Sequence, residues 1–259
     1  MWDNPYYFDL DENSCPIFTP KNFELVKALI RYDSNYGPTE DSNEYAMEGK
    51  TLYPKMLEEG FPKDEGKMRS IVDSMDAVNS THLASQGKRG GNAGREITTA
   101  KILQITDLEE KLKNKNDKVV IEIAEAVEGK FNISFATKFC AFTSLYALGS
   151  DNYCIYDSII QKILPYYVVR YGLHPEVGTD LLRTTKKGSK KGARVSAVEE
   201  MMKTEKDYNG DRGLIDNILR GVQKNAGLKI EYRQFDQLIW YYFKGRDVLI
   251  QNSLNNLSI

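Results

Sequence analysis

Apolar residues recur at spacings of three and four along most of this chain, while period-two alternation is scarce. After Thr19-Pro20 and Asn22, the positions Phe23, Leu25, Val26, Leu29 and Ile30 predict a helix. Met68, Ile71, Val72, Met75 and Val78 predict a second within 66–86. Further helices are predicted over 97–113 and 117–128. The latter carries Val119, Val120, Ile123, Ala124 and Val127 on one face, with Gly129 as its C-cap. Residues 134–148 read as a helix closed by Gly149. Tyr153-Cys154-Ile155-Tyr156 reads as a short extended approach, and Asp157 or Ser158 then opens a helix with Ile159, Ile160, Ile163 and Leu164 inside it. The pattern continues over 195–206, 213–226 and 231–244. Residues 1–20 read as an irregular arm, 33–51 as a loop, and the polar tail from Asn252 as frayed. There is no repeat at a fixed period. The fold class predicted is all-α.

A chain of 259 residues can bury a real core. The net charge of −2 excludes a uniformly basic binder of nucleic acid but leaves room for a local basic surface. Sixteen tyrosines supply flat surface with a polar tip, suited to cores, interfaces and base stacking. Cys15, Cys140 and Cys154 are scattered and odd in number, which argues against a disulfide framework; Cys140 and Cys154 read as small buried hydrophobes. His82 and His174 lack any ligand spacing, so no metal is expected. With no secretory signal and no apolar run of membrane-spanning length, the expected location is the cytoplasm, away from any membrane.

Two stretches are basic and glycine-rich. Gly87 to Arg95 contains Lys88, Arg89 and Arg95; residues 183–194 contain Lys186, Lys187, Lys190, Lys191 and Arg194. The first is too irregular to match a nucleotide-binding loop. Each is either a solvated loop or a phosphate-contacting one, since interleaved glycines permit close approach to a backbone.

The chemistry concentrates in 129–164. Lys138 sits in an apolar helix among Phe135, Phe139, Cys140 and Phe142. Burial disfavours the charged form of an amine, and a neutral amine is what a Schiff-base nucleophile needs. The alternative is a lysine that snorkels from a helix edge. Asp157 follows after one helix and one turn, 157 − 138 = 19 residues on. A carboxylate there serves either as a plain helix cap or as a group that takes a proton from the lysine and stabilises positive charge on a sugar.

The segment from Gly129 to Tyr156-Asp157-Ser158 resembles the core of the helix-hairpin-helix DNA glycosylases, the 8-oxoguanine branch above all. The resemblance implies a two-lobed helical fold over 1–259, with a divergent part over about 1–115 and a glycosylase-like core over about 116–250. It implies Lys138 as nucleophile and Asp157 as the essential carboxylate, with no cofactor. It implies excision of a flipped modified base from DNA, with lyase cleavage of the strand. In that family the last helix lends a glutamine and an aromatic four residues apart; Gln237 and Tyr241 match, and Trp240 and Phe142 join them as pocket candidates. The chain also resembles a bacterial group with an 8-oxoguanine glycosylase fold that accompanies anti-phage defence systems of the cyclic-oligonucleotide type. That implies nucleic acid and other defence proteins as partners. Phe135, Ala136 and Thr137 stand where the family hairpin carries glycines, and Ser134 is placed to cap the helix. The rival reading is therefore a module that binds a modified or free nucleobase without duplex binding.

Overall fold

A computed structural model describes residues 7–35, 57–79, 83, 93–127, 131–171 and 208–256. Among these the chain is helical, with no strand and one isolated backbone bridge between Leu10 and Pro16. The all-α expectation holds. No helix among the described residues is long and apolar enough to cross a membrane. The helix expected over 195–206, the basic segment 183–194, Lys88, Arg89 and Gly129 lie outside the described residues.

The chain divides into two compact units, Arg31–Asp157, and Met1–Ile30 with Ser158–Ile259. In the first unit, α2 (Glu65–Asn79) packs on α3 (Ala93–Leu103). Then α4 (Leu108–Lys113), α5 (Lys118–Ala126) and α6 (Ile133–Phe142) follow, with α5 packed on α3, α4 and α6. Met68, Ile71, Val72, Ile102, Val119, Val120, Ile123, Phe135 and Phe139 form a core closed to solvent.

Two details depart from the sequence reading. The helix expected over 97–113 breaks between Leu103 and Leu108. Ile105, Thr106 and Asp107 are poor helix formers, and Asp107 takes a left-handed φ of 54°, which an aspartate tolerates better than most residues. The helix expected over 134–148 changes into a π-helical turn at Thr143–Ala147. Gly149 then reverses the chain at φ 67°, and the Ser150 N–H returns to the Ser144 carbonyl at 2.9 Å.

In the second unit, α7 (Ser158–Tyr171) lies against α8 (Tyr208–Ala226), α9 (Tyr232–Phe243) and α10 (Asp247–Asn256). Helix α1 (Pro20–Asn35) begins in this unit, its Asn22 N–H bonded to Thr19 Oγ1 at 3.2 Å. Before α1 the chain is irregular, as expected, but tightly held. An irregular segment has no ladder to satisfy its carbonyls, so side chains must do so. Tyr167 donates to the Pro16 carbonyl at 2.9 Å, Tyr242 to Ser14 at 2.7 Å, and Ser253 to Asn13 at 3.0 Å. Asp11 Oδ1 accepts from the Asn13 and Cys15 N–H groups at 3.0 Å, and Tyr166 donates to its other oxygen. Part of the tyrosine content is thus spent on binding this arm.

The tail corrects another expectation. Residues 247–256 form a helix, with Ser253 fully buried and Leu254 3% exposed. A polar-looking sequence hid one apolar stripe, Ile250 and Leu254, spaced four apart.

Candidate active site

Helix α6 is buried over most of its length: Phe135 to Phe142 are all buried, Lys138 included. Its start is fixed by Asn132, whose Oδ1 accepts the Phe135 N–H at 3.0 Å. The Asn132 N–H in turn donates to the Ala124 carbonyl at 3.1 Å, tying the end of α5 to the start of α6. Asn132 therefore caps this helix, not Ser134. The signal was present, since asparagine is among the strongest N-cap residues.

The chain then runs through the π-helical turn and back as 152–157, a segment without regular structure in which every residue is buried. Asn152 Nδ2 donates to the Leu112 carbonyl at 3.2 Å, and Tyr153 OH to the Lys111 carbonyl at 3.1 Å. Further along, the Tyr156 N–H donates to Thr137 Oγ1 at 3.1 Å. The next residue is Asp157, and its Oδ2 lies 3.2 Å from Lys138 Nζ. The expected pair is brought together, both members within the unit Arg31–Asp157. Helix α7 opens with the following residue, Ser158.

The pair is dry: the two side chains are 9% and 6% exposed. Withdrawing an ammonium and a carboxylate from water costs roughly several kcal/mol each, and their attraction seldom repays it in full. Apolar residues of similar size would hold this core at least as well. At 3.2 Å the amine and the carboxylate are within reach of direct proton transfer.

The other nominated residues fall as follows. Phe142 belongs to the core of the same unit, 3% exposed, its ring 6.2 Å from that of Tyr146. Gln237, Trp240 and Tyr241 are half-buried on α9 in the other unit, whose inward face is Phe235, Leu238, Ile239, Tyr242 and Phe243. Trp240 and Tyr241 meet edge to face with centroids 5.1 Å apart, and Lys244 Nζ stands 4.0 Å from the Trp240 ring. Of the basic residues nominated for phosphate contact, Arg95 is the one within the described residues. Its Nε bonds to Asp76 Oδ2 at 2.8 Å, and Asp76 Oδ1 accepts the Leu83 N–H at 2.9 Å. Its charge is engaged inside the protein. Lys88, Arg89, Lys186, Lys187, Lys190, Lys191 and Arg194 are outside the described residues.

Cys140 and Cys154 are fully buried free thiols, and burial pushes Cys140 well above the usual thiol range, so it offers no nucleophile at neutral pH. No cluster of metal-ligating side chains occurs among the described residues. The sequence reading missed Asn132, Thr137 and Asn152. Thr137 and Asn152 are small polar residues with backbone partners 19 and 40 residues away, which spacing along the chain does not disclose. Comparisons with protein-family models, curated proteins and solved structures found no match.

Proposed function

We propose that the chain excises a modified base from nucleic acid by the Lys–Asp mechanism of the helix-hairpin-helix glycosylases. The observation that carries this is the dry 3.2 Å contact between Lys138 Nζ and Asp157 Oδ2, at the family's interval along the chain. Asp157 accepts a proton from the Lys138 ammonium. The neutral amine attacks C1′ of a flipped nucleotide. The bond from C1′ to the base nitrogen breaks, its electron pair leaves with the base, and the base takes up a proton. Asp157, again a carboxylate once that proton has passed on, stabilises the positive charge on the sugar. Opening of the sugar ring gives a Schiff base; a base then removes a C2′ proton, a C2′–C3′ double bond forms, and the C3′–O bond to the 3′ phosphate breaks, which cleaves the strand.

Borohydride tests this directly, because it reduces the Schiff base to a stable amine. Wild type incubated with oligonucleotides bearing 8-oxoguanine or an abasic site should form a covalent adduct at Lys138, absent in Lys138→Gln. Absence of any adduct across a panel of damaged duplex and single-stranded substrates sinks the reading.

One observation favours the second reading, a nucleobase-binding module. The family hairpin leaves backbone N–H groups at a helix N-terminus open to a DNA phosphate. Here the Phe135 N–H is taken by Asn132. Base binding that persists in Lys138→Ala without turnover supports that module.

A further inference from the structure

The residue before Lys138 is Thr137, and the residue before Asp157 is Tyr156. The Thr137 hydroxyl donates its proton to the Ile133 carbonyl at 2.9 Å and accepts the Tyr156 N–H at 3.1 Å. A hydroxyl has one proton and two lone pairs, so it serves both bonds at once. Thr137 is fully buried, and water does not compete for either. The two cross-links run in step: 137 with 156, then 138 with 157, each 19 residues apart.

Residues 152–157 have no helix or strand ladder to set their register along α6. Asn152 and Tyr153 fix the far end against carbonyls of α4. Near the carboxylate the Thr137 hydroxyl does this work. A slip of one residue along the chain moves a side chain by up to roughly 3.6 Å and changes the direction in which it points. Either would part Asp157 from Lys138.

We infer that Thr137 is a positioning residue whose hydroxyl sets the register that brings the Asp157 carboxylate to the Lys138 amine. Its consequence for catalysis rests on the glycosylase reading; the register itself does not.

Two readouts separate these. The first needs no substrate. The full chain is methylated with formaldehyde and cyanoborohydride across a range of pH, and each lysine is quantified by peptide mass spectrometry. In Thr137→Val, which keeps the shape and loses the hydroxyl, Lys138 should label about threefold faster or more, because its amine is no longer held in the 3.2 Å contact with Asp157. Thr137→Ser should label as wild type, and Lys162 should be unchanged in both. Labelling of Lys138 in Thr137→Val that matches wild type in rate and pH dependence overturns the proposal. The second readout is borohydride trapping of the same variants. If labelling follows the expected pattern while no variant, wild type included, traps any substrate, the register role stands and the glycosylase reading fails. A measurement on wild type alone guards against a variant that does not fold. The Tyr156 amide should exchange with solvent as slowly as amides inside α6, and exchange at the rate of an open loop overturns the proposal.

Discussion

Lys138 Nζ stands 3.2 Å from Asp157 Oδ2 with less than a tenth of either side chain exposed. Removing one member strands the other charge in an apolar setting. Lys138→Met and Asp157→Leu should each cost about 3–5 kcal/mol. The double variant should cost clearly less than their sum, since it leaves no orphaned charge. Chemical denaturation of the four proteins gives the coupling energy. Additive losses would show that the two groups do not share their stability.

The cap on α6 is a separate device from the pair. Asn132→Ala removes the acceptor of the Phe135 N–H and should cost about 1 kcal/mol, whereas Asn132→Asp should be close to neutral. If Ser134→Ala were the costlier change in the same denaturation series, the helix would begin two residues later than described.

The reach of sequence reasoning follows from what each feature depends on. The pattern at 119–127 stood out because a buried helical face repeats with the turn of the helix. Lys138 was legible because a charge in an apolar run is costly, and Asp157 because the chain returns there at the interval that the resemblance to the glycosylases implies. The break at 104–107 was hidden, since its residues are weak helix formers rather than glycine or proline. The anchoring of the arm by Tyr166, Tyr167, Tyr242 and Ser253 joins positions more than 150 residues apart, beyond any local pattern.

The last helix gives a direct test against a frayed tail. Leu254 is 3% exposed, and Leu254→Ala should cost about 2–5 kcal/mol, as for other buried leucines. Ser253→Ala deletes the donor to the Asn13 carbonyl and should cost about 1 kcal/mol. Asn252→Ala, on the exposed side, should change nothing measurable. Equal and negligible effects from all three would mean that this segment does not dock.

The arm and its tyrosines also fix how the protein responds to alkali. Burial pushes the Cys15 thiol from its ordinary 9.0 up to about 12, and the Tyr171 and Tyr242 phenols from 10.0 up to about 12. Burial raises Tyr166 and Tyr167 further, with Asp11 as an adjacent negative charge. All five groups hold their protons more tightly folded than unfolded. Between the unfolded and folded values the unfolded chain therefore binds fewer protons, and stability falls as pH rises. It is fully present below about pH 9 and drains away between about pH 9 and 12. Denaturant midpoints should be level near pH 8 and drop steadily toward about pH 11. In the native state the absorbance of tyrosinate should account for only the exposed tyrosines near pH 10, with the rest appearing on unfolding. Native titration of every tyrosine near pH 10, or a denaturant midpoint that stays flat through that range, would contradict the burial of this cluster.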